Sequence, residues 1–275
     1  GGKIMQGKFS DYLLVSDMDA TLLDDNHTIS EENRQAIDYF IKNGGRFTVA
    51  TGRMVEAVRA YMPNLHINAP AVLHNGAKIY DYEKDCAVFE RFIEENRKQA
   101  IKRVYDFPQI GLEVYSDEIV YVYRECEETK RFLTRSYEVV YSLPDEIWQK
   151  PWIKVLLIGE RELLDKYEPI YRAEYDNGYA VRSGDRYLDV VANGVSKGKG
   201  MLDMAKKIGI EQNKIIAVGD NMNDISMLEA AGISYAVENA EESVKKIADN
   251  LAPSNNGSAI AYIISRLEKI VKTQN

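Results

Sequence analysis

The sequence predicts an α/β fold, a parallel-sheet core with helices on both faces, interrupted by a second, α+β unit. Three observations carry this. Short apolar runs alternate with amphipathic stretches in the first third of the chain and again after Tyr187. Acidic loops follow two of those runs, 12–15 and 215–218. Between about Glu83 and Tyr187 the texture changes to a hairpin mixed with helices.

A strand at 12–16 precedes a helix opened by Ser30, with Glu31 and Glu32 in its first turn and Gly44 at its close. A strand at 46–50, a short helix after Arg53 and a strand at 71–73 continue the alternation. In the middle, 112–115 and 119–123 flank Ser116-Asp117-Glu118 and predict an antiparallel hairpin. Helical stretches at 126–136 and 160–173 are interleaved with strands at 153–158 and 179–182, punctuated by Pro144, Pro151 and the Asp176-Asn177-Gly178 turn. After a strand at 187–191, a helix begins near Ser196 and ends before Gly209. A strand at 215–218, a helix from Asp224, a strand at 233–237 and a helix from Glu241 follow. The closing helix places Ile260, Ile263, Ile264, Leu267, Ile270 and Val271 on one face, at spacings of three and four.

At 275 residues, with 45% hydrophobic and 28% charged content, the chain has an ordinary globular composition and enough length for a substantial core. A net charge of −8 and a pI near 5.2 give no electrostatic footprint for nucleic acid or an acidic membrane surface. That charge leaves a small anion held by local groups open. No apolar run approaches the roughly 20 residues that span a bilayer. Residues 1–8 lack a signal-peptide apolar region, and Gly1 to Ile4 read as additions ahead of Met5. The expectation is a soluble, cytoplasmic protein, monomeric or weakly dimeric. Cys86 and Cys126 read as reduced thiols, and His27, His66 and His74 share no zinc-ligand spacing, although His74 beside Asn75 is placed to approach a ligand.

Ligands of open α/β sheets bind beyond the carboxyl ends of the strands, so chemistry should gather in the loops there. Four loops qualify: Asp17-Met18-Asp19-Ala20-Thr21; Thr51-Gly52-Arg53; Val195-Ser196-Lys197-Gly198; and Gly219-Asp220-Asn221-Met222-Asn223-Asp224. Taken singly, each has a plain structural explanation as a solvated turn, a helix cap or a surface lysine. A lysine at a helix start, however, opposes the helix dipole unless an anion is near. The conjunction of acid pair, hydroxyl, lysine and second acid pair, all at strand ends or helix starts, points to one site.

These four segments, with Ala50 before Thr51 and with Asn75-Gly76-Ala77 and Asn239-Ala240, resemble haloacid dehalogenase superfamily phosphatases of the Cof-type branch. The resemblance covers nearly the whole chain. It implies a Rossmann-like three-layer core at 1–83 and 190–275 and an α/β cap at 84–189. Two departures from the branch are Ala20, where glycine is usual, and Val237-Glu238 before Asn239. An alanine at position 20 is tolerable only if the backbone there avoids positive φ. Glu238 adds a carboxylate near the catalytic face.

Phosphate monoester hydrolysis in two steps needs a nucleophile that survives phosphorylation, and the Asp17 carboxylate can form an acyl phosphate. Asp19, two residues on, suits a general acid and then base. A dianion approaching carboxylates calls for a hard cation, Mg²⁺. The resemblance implies Asp17, the Asp19 carbonyl and Asp220 as ligands, with Asp224 in the metal site orienting Lys197 or a water. Lys197 supplies fixed charge to the phosphoryl group, while the Thr51 hydroxyl, the loop amides of Met18 and Gly52, Asn75 and Asn223 supply contacts. Arg53 either reaches the substrate or braces the loop. Tyr115, Tyr121 and Tyr123 either line a sugar pocket or pack as a sheet face. The implied activity is a phosphatase for small phosphorylated metabolites such as sugar phosphates; a phosphomutase or phosphotransferase and a non-catalytic sugar-phosphate sensor are the alternatives.

Overall fold

The protein is described from a computed structural model covering residues 7–135 and 137–274. Met5 and the residues before it, and Ser136, lie outside the described residues. In chain order the elements are β1 Leu13–Ser16, α1 Glu31–Lys42, β2 Arg46–Val49, α2 Val55–Arg59, β3 Ala71–Leu73, β4 Lys78–Asp81 and β5 Cys86–Glu90. They continue with α3 Glu95–Ile101, β6 Gly111–Ser116, β7 Ile119–Arg124, β8 Val139–Val140, β9 Lys154–Ile158, α4 Arg161–Ile170, β10 Ala180–Gly184 and β11 Tyr187–Val190. The chain closes with α5 Lys197–Lys207, β12 Ile215–Gly219, α6 Ile225–Ala230, β13 Ile233–Val237, α7 Glu242–Lys245, β14 Asn250–Ala252 and α8 Ala259–Gln274.

A five-stranded, wholly parallel sheet in the order β14-β13-β12-β1-β2 forms the core. Strand β1, between β12 and the edge strand β2, is fully buried and pairs Leu13 with Ile215 on one side and Arg46 on the other. This is why β1 and β12 read as continuous apolar runs: helices cover both faces. The Ser30 hydroxyl caps α1 by accepting from Asn33 N, and Ile260, Ile263, Ile264 and Leu267 of α8 are buried in the core. Among the described residues no helix is long and apolar enough to cross a membrane.

A small antiparallel sheet, β3-β4-β5, continues from the core through a bridge between Ala50 and Val72. Strand β5, not foreseen in the sequence, lies beyond the expected 83/84 boundary. It turns back through residues 82–85 and pairs with β4, Asp81 opposite Cys86. The inserted unit carries a six-stranded sheet, β10-β11-β9-β6-β7-β8. One face packs against α3 and α4 through Val114, Tyr121, Leu157, Leu164 and Tyr167. The other, with Tyr115, Val120 and Leu156, meets Met54, Ala57 and Ala77 of the core side. The stretch expected to be helical at 126–136 forms a 3₁₀ segment, Glu127–Thr134, whose first turn is tied by Thr129 bonding back to Cys126 N.

Candidate active site

Strand β1 lies between β2 and β12, so the loops that follow all three open on one crevice. Asp17 N donates to Val218 O at 2.9 Å, which aligns the first loop with the end of β12. The Ser196 hydroxyl caps α5 by accepting from Lys199 N. Lys197, on the first turn of that helix, is 1% exposed and donates to Asp17 Oδ1 and Asp224 Oδ1, both at 2.6 Å. The other Asp224 oxygen accepts from the backbone N–H groups of Asp220 and Asn221 at 2.9 and 3.0 Å. Gly219 permits this approach, since a methyl there would sit 2.4 Å from Asp224 Cγ. Thr21 donates to Asp220 Oδ1 at 2.9 Å.

Asp17, Asp220 and Asp224 thus form one buried cluster whose nearest carboxylate oxygens lie within 4.8 Å of one another. Crowded carboxylates in low dielectric resist ionisation. Burial, then Asp224, push Asp17 well above the ordinary carboxylate range, and the same two causes raise Asp220 to about 7. Burial opposes charge on Lys197, but Asp17 and Asp224 draw its pKa up, so it stays an ammonium. Both Asp224 oxygens are engaged, whereas the Asp17 and Asp220 carboxyls, bonded to Lys197 and Thr21 respectively, also meet each other. A hard cation with oxygen ligands fits this donor set.

Asp19 faces elsewhere. Its carboxylate is gripped by Arg53, with Nε–Oδ2 2.8 Å and Nη2–Oδ1 2.6 Å. Burial raises Asp19, but the guanidinium outweighs it and holds the carboxyl below its usual value. Arg53, with two roles open to it, here pairs with Asp19. The Asp19 side chain therefore stands outside the acid cluster. Met18, expected at the phosphate, buries its side chain in the core and leaves only its backbone for that task. Thr51 is 1% exposed and accepts from Arg53 N. Asn75 accepts from Asn223 Nδ2 at 3.0 Å, while its own Nδ2 is buried without a partner; Gly52 lies against the Asn75 amide. His74 is buried under the ring of Tyr115, and burial drives its pKa well down.

Ala20 overturns one expectation: its φ is +55°. Left-handed backbone costs an alanine roughly 1 kcal/mol. A bond from Asn239 Nδ2 to Ala20 O at 2.8 Å helps hold it there. Glu238 is exposed and does not line the cavity.

Above the cluster lies a cavity of about 500 Å³, roofed by the cap sheet. Tyr115 lines it, but Tyr121 and Tyr123 do not. The hairpin register pairs Tyr115 with Val120 and Val114 with Tyr121, so Tyr121 points to the opposite face with Val114, and Tyr123 shares its side. Tyr121 is buried under the cap helices, and Tyr123 stacks on Tyr105 at 4.0 Å. The wall is built instead from Arg131, Arg135, Tyr137, Lys154, Tyr187 and Asp189. None of these was anticipated. The available signal was a charge inside an apolar strand, as at Glu113 in β6 and Asp189 in β11. A larger groove of about 680 Å³, lined by α1 and residues 62–68, shares no residue with this cavity.

A family profile of haloacid dehalogenase-like hydrolases matches residues 14–264. The Bacillus subtilis phosphatase YwpJ is 26% identical, over 93% of this chain and 99% of its own. The Bacillus subtilis 5-amino-6-(5-phospho-D-ribitylamino)uracil phosphatase YwtE is also 26% identical, over 92% and 97%. A solved structure from Thermotoga maritima superposes with a TM-score of 0.77 at 29% identity, covering 93% of this chain and 97% of that one. With its buried acid cluster at the ends of β1 and β12, the chain belongs to the haloacid dehalogenase-like hydrolase family and is a phosphoric monoester hydrolase of the Cof-type branch.

Proposed function

We propose that the protein is a Mg²⁺-dependent phosphatase of small phosphorylated metabolites, sugar or polyol phosphates among them, working through an aspartyl phosphate at Asp17. The observation that carries this is Lys197 held between Asp17 and Asp224, with Asp220 beside them. Asp17 and Asp220 would hold the metal, together with the Asp19 carbonyl implied by family likeness. Once bound, the ion offsets the charge of the carboxylates and of the phosphoryl oxygens.

The Asp17 carboxylate attacks phosphorus while the bond to the leaving oxygen breaks, and Asp19, parted from Arg53 and having taken a proton from solvent, gives that oxygen its proton. Asp19, now ionised, then takes a proton from water as it attacks phosphorus and the bond to Asp17 breaks. For either transfer the Asp19–Arg53 pair must part, which frees Arg53 to meet the arriving phosphate. Lys197 has three donors and spends two on carboxylates, leaving one for a phosphoryl oxygen. Asp224 acts through Lys197 as a positioning residue. A Bacillus subtilis relative named for a phosphoribitylamino substrate supports an open-chain sugar phosphate.

The test is phosphate release from a panel of phosphorylated metabolites and an aryl phosphate, with chelator and with added Mg²⁺. Metal-restored hydrolysis is expected. Full activity in metal-free protein would refute the metal assignment, phosphoryl return to a second sugar would indicate a mutase, and metal binding without any release would indicate a sensor.

A further inference from the structure

The cap wall holds three cations, and two of them are already neutralised. Arg131 donates to the buried carboxylate of Glu113 at 2.6 Å, and that oxygen also accepts from the Tyr115 hydroxyl. Lys154 pairs with buried Asp189 at 3.1 Å and donates to Gly52 O of the second loop at 2.8 Å. Asp189 further accepts from the Ser183 hydroxyl. Both cations are thus held by buried carboxylates of the cap itself.

Arg135 differs. It follows the Glu127–Thr134 segment and lines the same cavity, yet among the described residues its guanidinium meets no carboxylate, carbonyl or hydroxyl. Tyr137 and Tyr187 line the cavity too, and their hydroxyls have no hydrogen-bond partner among the described residues. The Tyr137 ring is fixed edge-on against Phe132 at 6.0 Å. A guanidinium with open donors, in one cavity with two phenols and electrostatically coupled to that of Tyr137, matches a carboxylate or phosphate, which it can grip in a bidentate manner. A neutral sugar would leave that charge uncompensated.

Resting on the phosphatase reading above, we propose that Arg135, with the Tyr137 and Tyr187 hydroxyls, binds a second anionic group at the far end of the substrate. The preferred substrates are then phosphate monoesters that carry a carboxylate or a further phosphate. The core takes the scissile phosphate, and the cap reads the distal charge.

Matched pairs test this. kcat/KM is measured for glucose 6-phosphate against 6-phosphogluconate, which differ at C1 in the aldehyde or carboxylate, and for fructose 6-phosphate against fructose 1,6-bisphosphate. The wild type should favour the anionic member of at least one pair. Arg135→Gln should erase that preference, roughly 10- to 100-fold, the worth of hydrogen bonds to a charged group. Arg135→Lys should keep part of it. Preference within the first pair assigns a carboxylate, and within the second a phosphate. Equal handling of both pairs by the wild type, or an unchanged ratio in Arg135→Gln, overturns the proposal. Hydrolysis of para-nitrophenyl phosphate separates the two readings: its absence overturns phosphatase chemistry and this inference with it, whereas its presence with equal pairs overturns this inference alone.

Discussion

The floor and the roof of the cavity are built on different plans. On the floor, each functional group sits in a contiguous loop at a strand or helix end, and the loops converge because β1 neighbours both β2 and β12. In the roof, the groups come from β6, β9, β11 and from Arg131, Arg135 and Tyr137, far apart in sequence and brought together largely by sheet register. The floor concentrates like charges around one buried ammonium. The roof spaces its charges as pairs and leaves one cation over. Chemistry that needs several groups within hydrogen-bond reach of one atom favours compact motifs, whereas recognition of a substrate's periphery can be dispersed over a sheet face.

If the floor alone reacts, Asp17→Asn should remove turnover by at least about 10⁴-fold, since an amide cannot form the acyl phosphate. The fold should persist, because one of three crowded carboxylates is lost. Phosphate release and a thermal melt check both halves, and near-normal activity with deamidation excluded would sink the assignment.

The charge balance of the floor predicts a second outcome. Lys197→Met leaves buried Asp17 and Asp224 without their cation and should cost about 3–5 kcal/mol in urea unfolding under chelator. Added Mg²⁺ should return part of it. Equal stability with and without metal would mean that the carboxylates simply take up protons.

The roof has its own buried pair. Arg97 grips Asp176 through Nε at 2.9 Å and Nη2 at 3.0 Å. Burial raises Asp176, but Arg97 and the Gly178 N–H outweigh it, so its pKa in the folded cap is depressed. Its stabilisation is therefore complete above the unfolded value of about 3.9 and is lost as pH falls through the folded value. Trp148 and Trp152, the chain's two tryptophans, stand together in the cap, so their fluorescence reports this region. Asp176→Asn should destabilise the cap by about 3–5 kcal/mol at neutral pH and flatten its acid transition. An unaltered acid limb would place the titrating group elsewhere.

The smallest effect tests strain in the first loop. Ala20→Gly should relieve the positive φ and raise stability by up to about 1 kcal/mol, partly offset by glycine's chain entropy. Lower activity in that variant would show that the methyl or the rigidity of the loop serves the site.

Core strands, caps and the catalytic loops were legible because each is a local pattern: an apolar run ending in acids, Ser30 and Ser196 as caps, a one-sided apolar face on α8. Strand β5 was not, since it is a short edge strand, largely exposed, whose place is set by pairing with β4. The tyrosines of the cap hairpin misled in part because only pairing decides which face each occupies.

What the sequence by itself determined was the chemistry of the floor. Acids, hydroxyl and lysine are specified by type within four short segments, and apolar periodicity places those segments at strand and helix ends. What tertiary structure alone decided was orientation and balance: that Asp19 is held by Arg53, that Ala20 takes a left-handed backbone, and that Arg135 remains the unpaired cation of the roof among the described residues. Those outcomes depend on partners dozens of residues away or on long-range sheet register. A local pattern records which groups a segment offers, but the neighbour that neutralises each one is set only when distant segments pack.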